Sequence, residues 1–220
     1  MADKVKVGLM GCGNISPQYF NGCRAFQILD LVACADLDTD LAKERAEEFE
    51  VEKAYSVDEM LGDPNIEIVI NLTVPKVHAL VNQQILEAGK HAHTEKPFAV
   101  EKADGKAVLE LAKEKGLRTG GAPDTFLGGG IQTCRKLIDD GWIGRPVAAT
   151  AFMAGHGPEG WHPNPDFFYK VGGGPMFDMG PYYLTALVSL LGAVSRVTGS
   201  AQKSFDQRTI SNPELRTGEK

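Results

Sequence analysis

A glycine-rich loop near the start of the chain carries the first residues whose spacing predicts chemistry. Gly11, Gly13 and Ser16 stand in the order Gly-Cys-Gly-Asn-Ile-Ser, directly after an apolar run and ahead of a stretch with helical character. The first glycine allows a tight turn, and the second lets a pyrophosphate approach backbone amides at a helix N-terminus. Ser16 takes the third position, where this fingerprint has Gly or Ala. The loop predicts a dinucleotide site that includes Asn14 and Ile15; an ordinary tight turn is the alternative.

An acidic residue ends the next apolar run and bears on the choice of cofactor. Asp36 follows residues 28–35, about where a ribose-binding acid belongs after such a loop. A carboxylate there accepts hydrogen bonds from the ribose hydroxyls of NAD and repels the extra phosphate of NADP. No arginine follows immediately to bind that phosphate. The sequence therefore favours NAD over NADP.

A lysine supplies the second element of redox chemistry. Oxidation of a secondary alcohol requires a hydride to leave carbon while a base removes the hydroxyl proton. Lys96 follows the short strand-like run of residues 91–95, and ligands of open α/β sheets bind at the carboxyl ends of strands. A lysine in water, with a pKa of about 10.4, is too protonated to act as a base, but burial and a positive nicotinamide ring lower that value. Lys96 therefore lies where a ligand is expected to bind, and a solvated surface lysine is the alternative.

Strand-like and helix-like stretches alternate over the first 120 residues and would position these groups. Apolar runs that suit strands covered on both faces lie at residues 5–10, 28–35, 66–72 and 91–95. Helical stretches follow the capping residues 38–40 and 56–59 and cover residues 77–88 and 102–115. This alternation implies right-handed crossovers and a doubly wound parallel sheet of the Rossmann type, in an α/β domain over residues 1–122.

The character of the sequence changes after Gly120, which predicts a second domain over residues 123–220. Its expected parts are a helix at residues 130–139, a strand at 145–152, an aromatic loop at 154–175 and a buried apolar helix at 176–191. Loops of that length inside a compact domain are usually functional or disordered, and its aromatic residues favour function.

The composition of the chain argues against several classes of partner and site. A net charge of −6 and a pI near 5.4 argue against nucleic acid or an anionic membrane as the main partner. No apolar run approaches the roughly 18 residues that a membrane span requires, and the N-terminus has no signal-peptide pattern. The cysteines lack zinc-ligand spacing, so we expect no metal and a cytoplasmic location.

Several longer motifs carry a family resemblance. They are Thr-Val-Pro-Lys-Val-His at residues 73–78, Glu-Lys-Pro at 95–97, Leu-Ile-Asp-Asp-Gly-Trp-Ile-Gly at 137–144 and Gly-Gly-Gly-Pro-Met-Phe-Asp-Met-Gly at 172–180. Together with the glycine loop, they resemble the glucose–fructose oxidoreductase, inositol dehydrogenase and MocA family. The resemblance runs from about residue 5 to about residue 200.

The resemblance implies a Rossmann domain followed by an α+β domain with an open, mostly antiparallel sheet. In that family the sheet face is the usual subunit contact, so we expect a homo-oligomer if the second domain is complete. Family members are generally longer, so the chain is expected to be a fragment or a shortened variant. A truncated sheet would leave an exposed edge.

The resemblance also implies roles for individual residues. Lys96 is expected to contact the nicotinamide ribose and the substrate hydroxyl and to handle the substrate proton, and Glu95 to contact the ribose. The remaining residues expected at the site are Thr73, Pro75 and His78 for the cofactor, and Asp124 and Tyr182 for the substrate. His162 is a candidate for substrate contact because of its place in the aromatic loop, and a loop that only packs on the second domain is the alternative. Structural roles remain open for His78, as a residue at a helix start, and for Asp124, as a helix cap.

One departure from the family pattern affects the acid/base group. In the family signature, an Asp is followed four residues later by a His, whereas here Asp178 is followed by Tyr182. Three readings remain: Tyr182 replaces the histidine, His162 or His156 supplies the group, or this branch carries out no redox chemistry. Asp178 can also serve as the N-cap of the apolar helix.

The leading hypothesis is an NAD-dependent oxidoreductase that transfers a hydride between the cofactor and a sugar, inositol or related polyhydroxylated substrate. The alternative is a cofactor-binding sensor or regulatory protein of the same fold without turnover, which the tyrosine at position 182 favours. The sequence does not identify the individual substrate.

Overall fold

The computed structural model describes residues 3–212 and residue 218. It divides the chain into two compact units, residues 1–122 and 123–220. The assignment of the first unit to the cofactor and of the second to the substrate and to oligomerisation stays a prediction.

The first unit is built on one parallel sheet of six strands. They are β1 (Val5–Met10), β2 (Leu29–Ala35), β3 (Lys53–Tyr55), β4 (Ile68–Asn71), β5 (His91–Thr94) and β6 (Thr119–Gly121). Their order across the sheet is β3-β2-β1-β4-β5-β6, so the winding reverses between β1 and β4. This confirms the predicted Rossmann-type sheet, and such a switch point is where open α/β sheets bind ligands. Strands β3 and β6 were not predicted, because three residues give no clear hydrophobic pattern.

Five helices connect the strands of this sheet. They are α1 (Ser16–Ala25), α2 (Thr39–Glu48), α3 (Val57–Gly62), α4 (His78–Glu87) and α5 (Lys102–Glu114). The predicted starts of α2 and α3 are confirmed. Asp38 accepts hydrogen bonds from the amides of Asp40 and Leu41, and Ser56 and Glu59 form a capping box. Each cap satisfies amides that lack partners inside the helix.

Apolar side chains cover both faces of the sheet. Along β1, Val7 and Leu9 belong to the cluster that contains Phe20 of α1, whereas Met10 belongs to the cluster of Met60 and the α4 and α5 side chains. Successive strand residues point to opposite faces, so one strand serves both clusters. The fully buried Phe20 stacks on Phe49 with ring centroids 4.5 Å apart. Burial of such a ring contributes about 1.5–3 kcal/mol.

The second unit is helical in the residues that the structure describes. Its helices are α6 (Gly129–Asp139), α7 (Pro175–Asp178) and α8 (Gly180–Leu191). The guanidinium of Arg135 on α6 donates to the carbonyl oxygens of Ser189 at 2.8 Å and Leu190 at 3.2 Å. A cation on the last carbonyls of a helix satisfies acceptors that have no partner within it.

Two expectations for the second unit are wrong, those of a strand at residues 145–152 and of a buried apolar helix, and the open antiparallel sheet stays a prediction. Residues 145–152 form no strand, and the described residues of this unit contain none. A strand needs a hydrogen-bonded neighbour, and Val147 and Phe152 remain 93% and 83% exposed. The apolar helix is not buried either: no α8 residue is buried, and Leu184 is half exposed.

The same helix is also interrupted rather than continuous from residue 176 to residue 191. Pro181 has no N–H to donate to the carbonyl of Phe177, so α7 ends at Asp178 and α8 begins at Gly180. Asp178 is therefore the last residue of α7, and the residue that precedes α8 is Met179. The alternative role of Asp178 as the N-cap of the apolar helix is therefore wrong.

Replacement of Gly11 by alanine tests the constraint at the end of β1. Gly11 has φ +105°, and a Cβ there would lie 2.7 Å from the carbonyl carbon of Leu72. We expect Gly11→Ala to lower the free energy of unfolding by about 3 kcal/mol, measured by urea denaturation. Gly13→Ala is the control, because a Cβ at Gly13 meets no atom within 4 Å. Equal stability of the two variants would contradict the constraint.

The pH dependence of stability tests how much the hydrogen bonds of the Asp63 carboxylate contribute to folding. Its Oδ1 accepts from the backbone and side-chain nitrogens of Asn65, each at 2.9 Å, and its Oδ2 accepts from Lys53 at 3.2 Å and Tyr55 at 3.1 Å. These bonds, foremost that from the Asn65 backbone, hold the pKa of Asp63 well below its usual range. The stabilisation is complete above the unfolded-state pKa of about 3.9 and disappears as the pH falls through the lower folded-state value.

As the pH falls from about 5, we expect the free energy of unfolding to decrease more steeply in the unmodified protein than in Asp63→Asn. Urea denaturation at a series of pH values measures both slopes. Asp104→Asn, at an exposed aspartate of α5, serves as the control. Parallel curves for Asp63→Asn and the unmodified protein would show that the Asp63 bonds do not contribute.

Candidate functional site

The register of the sheet places the ends of four strands side by side. Met10 of β1 pairs with Ala35 of β2 and with Asn71 of β4, and Asn71 pairs with Thr94 of β5. The next residue of each strand starts a loop at the same edge, because carboxyl ends of neighbouring parallel strands coincide. The loop-starting residues are Gly11, Asp36, Leu72 and Glu95. The predicted cofactor residues of the first unit are thus gathered at the switch point.

Asp36 is fixed to the glycine loop by a hydrogen bond. Its Oδ2 accepts from the backbone amide of Cys12 at 2.7 Å, and its Oδ1 accepts from the amide of Asp38 at 3.0 Å. A carboxylate offers about four lone-pair positions, so about two remain for other donors. Asp36 is half buried, and its orientation is set before any ligand binds. The arrangement fits a group that presents two neighbouring hydroxyls, as a ribose does.

The second glycine of the loop leaves open space at the start of α1. A Cβ on Gly13 would meet no atom within 4 Å, and Gly13, Asn14 and Ile15 are all exposed. Ser16 is buried, and its hydroxyl donates to the Gly13 carbonyl at 2.8 Å, which fixes the loop on the helix. At the start of α1 the amides of Ser16 and Gln18 donate to the carbonyls of Gly13 and Ile15, each at 3.1 Å, and Pro17 has no N–H. The positive end of the helix dipole still favours an anion at this open position. The residues present therefore fit a pyrophosphate.

Cys12 lies within this loop but packs as an apolar residue. Its side chain is fully buried among Val7, Leu9 and Phe20. A hydrogen bond with Cys34, together with burial, raises the pKa of the Cys12 thiol. The thiol stays protonated, and a protonated thiol is a poor nucleophile.

The turn after β4 is organised by a buried asparagine. The Oδ1 of Asn71 accepts from the hydroxyl of Thr73 at 2.6 Å and from its amide at 3.2 Å. The Nδ2 of Asn71 donates to the carbonyl of His78 at 3.1 Å and to the Oδ1 of Asn82 at 3.0 Å. Pro75 begins a 3₁₀ turn at Pro75–Val77 that leads into α4. Hydrogen bonds with the buried side chain of Asn71 therefore fix the turn that carries Thr73 and Pro75.

His78 is buried beneath this turn. Both of its ring nitrogens face backbone carbonyl oxygens, and its side chain is 1% exposed. The geometry leaves neither nitrogen pointing to solvent. A direct cofactor contact by His78 stays a prediction, while a supporting role follows from its position.

The Glu-Lys-Pro segment forms the turn after β5. The Oε1 of Glu95 accepts from the hydroxyl of Tyr19 at 2.7 Å, and its Oε2 accepts from the amide of Lys96 at 2.8 Å. Lys96 is half buried, and the Lys96–Pro97 peptide bond is cis. Sequence reasoning missed Tyr19. Its place in the first turn of α1, three residues after Ser16, was the available signal.

In the second unit, the predicted residues fall on three segments. Asp124 is exposed at the start of a 3₁₀ turn, Asp124–Leu127, and Tyr182 lies in the first turn of α8. His162 is 9% exposed, and burial lowers its pKa, although the charge of Asp178 acts in the opposite direction. Within this unit the structure thus brings His162 and Asp178 into electrostatic range of each other. His156 is exposed.

Sequence reasoning also missed a buried carboxylate in the aromatic loop. Glu159 is 1% exposed, accepts from the hydroxyl of Tyr169 at 2.5 Å and forms an ion pair with Arg208. Burial and the neighbouring carboxylate raise the pKa of Tyr169 to about 12. Their separation in sequence gave no signal that these side chains meet.

Residues 3–212 and 218 contain neither a metal cluster nor a helix that could cross a membrane. In that part of the chain, no group of three or more His, Cys, Asp or Glu side chains is arranged to hold a metal ion. Its helices include none with the length and apolar character needed to cross a membrane.

Comparison with known proteins identifies relatives of both units. Residues 5–120 match a family model described as "Oxidoreductase family, NAD-binding Rossmann fold", and residues 131–215 match one described as "GFO/IDH/MocA C-terminal domain". An uncharacterised oxidoreductase of Schizosaccharomyces pombe is 30% identical over 151 residues, which cover 67% of this chain and 40% of the relative. The 1,5-anhydro-D-fructose reductase of Ensifer adhaerens is 28% identical over 176 residues, which cover 78% and 52%.

The fold of the chain is also similar to that of a solved structure. KijD10, a 3-ketoreductase from Actinomadura kijaniata in complex with NADP and TDP-benzene, superposes with a TM-score of 0.73 at 26% identity, over 86% of this chain and 58% of that one. The chain spans about half the length of the curated relatives it matches.

Proposed function

Because the chain belongs to the GFO/IDH/MocA family of oxidoreductases, as its motifs predicted, we propose that it is a nicotinamide-dependent oxidoreductase. It transfers a hydride between the cofactor and a sugar, inositol or related polyhydroxylated substrate. The observation that carries the proposal is the Asp36 carboxylate, held 2.7 Å from the amide of Cys12 beside the open position at Gly13. This arrangement suits the ribose and pyrophosphate of a dinucleotide.

NAD is the proposed cofactor. The Asp36 carboxylate lies half buried at the end of β2, and its remaining lone pairs suit ribose hydroxyls. A 2′-phosphate at the same place would meet a like charge, which costs free energy at close range. The family as a whole does not decide between the two cofactors, since KijD10 was solved with NADP.

Lys96 is the proposed group that handles the substrate proton. The bound nicotinamide ring supplies the site that accepts or releases the hydride. Lys96 follows β5 on a turn fastened through Glu95, so its side chain starts from a fixed backbone position at the carboxyl edge of the sheet. In the oxidation direction a neutral amine there would accept the substrate hydroxyl proton as the hydride leaves carbon, and in the reduction direction the ammonium would return a proton to the oxygen. Glu95 is proposed to contact the ribose.

The second unit is proposed to supply the acid/base group and the substrate contacts. Asp178 and Tyr182 are the proposed catalytic residues, and Asp124 and His162 are proposed to contact the substrate. The lowered pKa of His162 supports its place as an alternative acid/base group, because a neutral imidazole can accept a proton. His156 is the other histidine that could supply the acid/base group in place of Tyr182. A homo-oligomer and a cytoplasmic location stay predictions.

A sensor without turnover is the second candidate function. Tyr182 stands where the family signature has a histidine, and its unperturbed pKa of about 10 differs from that of the imidazole. A protein that binds the cofactor and lacks an effective acid/base group would report cofactor levels rather than oxidise a substrate.

Replacement of Asp36 by serine tests the cofactor preference. Loss of a charged acceptor is expected to weaken NADH binding about tenfold, while NADPH binding is not weakened. Fluorescence titration with each nucleotide measures both affinities, and thermal unfolding checks that the variant is folded. Asp40→Asn, at an exposed aspartate of α2, is the matched control. An unchanged NADH preference in Asp36→Ser would contradict the proposed role.

Replacement of Lys96 by alanine separates the two candidate functions. For an oxidoreductase we expect turnover of a responsive polyol or sugar, found by screening with NAD, to fall at least about 100-fold while NADH still binds. Lys106→Ala, at an exposed lysine of α5, is expected to keep full activity. NADH binding with no turnover of any polyol or sugar by the unmodified protein would favour the sensor. Failure to bind either nucleotide would overturn the proposed function.

A further inference from the structure

His78 makes two short contacts with the backbone that sequence reasoning did not anticipate. Its Nδ1 lies 2.7 Å from the carbonyl oxygen of Pro97, and its Nε2 lies 2.8 Å from the carbonyl oxygen of Thr73. The side chain is 1% exposed, so water does not compete for either nitrogen. The two carbonyls belong to the turns that follow β4 and β5, both at the candidate cofactor site.

The chemistry of the partners fixes what the ring must do to make both bonds. A carbonyl oxygen can only accept a hydrogen bond, so each ring nitrogen of His78 has to donate. A neutral imidazole carries one N–H and would place a lone pair against one of the oxygens. A ring with a proton on both nitrogens satisfies both contacts, and lengths near 2.7–2.8 Å are those of charge-assisted bonds.

The ring adds a link between two turns that the ends of β4 and β5 already bring together, since the amide of Glu95 donates to the carbonyl of Asn71 at 2.9 Å. Thr73 is tied to Asn71, whose Nδ2 also donates to the carbonyl of His78, so one side of the connection is a buried network. Pro97 has no N–H, which leaves its carbonyl as its only hydrogen-bonding group. On the other side of the turn, the hydroxyl of Tyr19 holds Glu95 at 2.7 Å. The turn that carries Lys96 is thus fastened both before and after that residue.

We propose that His78 is a positioning residue that carries a proton on both ring nitrogens and fastens the Lys96–Pro97 turn to the Thr73 turn. It keeps the backbone that presents Lys96 to the cofactor in one place. The benefit for Lys96 rests on the proposed function, whereas the link between the two turns does not. The charged residues of the joined segments are Lys76 on the side of His78 and Glu95 and Lys96 on the side of Pro97.

The protonation state can be measured without cofactor or substrate. We expect the ¹⁵N–¹H spectrum of the histidine side chains in the full chain to show one ring with protons on both nitrogens that exchange slowly with water. The spectrum of His78→Gln assigns these signals, because they disappear in that variant. A His78 ring with one bare nitrogen, at the pH used for nucleotide binding, would overturn the proposal.

Two conservative variants test the positioning role. The amide nitrogen of an asparagine side chain lies close to the position of Nδ1, so His78→Asn retains the donor to Pro97 and loses the donor to Thr73. His78→Gln does the reverse, because its amide nitrogen reaches the position of Nε2. Thr73 is also held by Asn71, so the loss of its bond to the ring is expected to matter less than the loss of the bond to Pro97. We therefore expect His78→Asn to bind NADH within about threefold of the unmodified chain and His78→Gln, which loses the donor to Pro97, to bind about tenfold more weakly.

The comparison of the two variants distinguishes positioning from simple packing. A ring that only fills space predicts equal NADH affinities for the two variants, even if both lower the melting temperature, and that result would overturn the proposal. If the unmodified chain binds no nucleotide, the proposed function fails, and the ring spectrum still decides whether His78 links the two turns.

Discussion

The backbone of Gly11 packs directly on the backbone of Leu72, and much of the first unit depends on that contact. Any Cβ at Gly11 would lie 2.7 Å from the Leu72 carbonyl carbon and 2.8 Å from its oxygen. The close approach allows the loops after β1 and β4 to leave the sheet side by side. The amide of Cys12 then reaches Asp36, while Asn71 holds Thr73 on the neighbouring turn. The absence of a Cβ at Gly11 thus sets the positions of the glycine loop and its neighbours.

Hydrogen bonds with backbone groups fix three of the candidate side chains of the first unit. Asp36 is held by two amides, Glu95 by the amide of Lys96, and His78 by two carbonyls. Because these backbone groups directly follow strands, the sheet fixes their positions. The side chains that bond to them are fixed in turn. A site built in this way is ordered before a ligand arrives, which reduces the entropy lost on binding.

The sequence predicts the first unit well for identifiable physical reasons. Strands β1, β2 and β4 are continuous apolar runs, and Asp38 and Ser56 cap α2 and α3 with side chains whose chemistry favours those positions. Contacts between distant residues leave no such local pattern. The bond between Tyr19 and Glu95 spans 76 residues, and the ring of His78 reaches 19 residues to Pro97. The predicted strand at residues 145–152 fails because strand formation depends on a partner, which local propensity does not report.

The register of the parallel strands restricts how this protein can diverge. Met10, Ala35, Asn71 and Thr94 lie in one row, and each site loop begins one residue later. Insertion of a single residue within β2 would advance Asp36 by about 3.3 Å and turn its side chain toward the opposite face of the sheet. Exchanges of side chains at and after position 36 keep this register, whereas insertions in β2 do not. Changes of length are tolerated where loops are exposed, away from the row, so relatives are expected to differ in loop length there and to keep the spacing from strand to site.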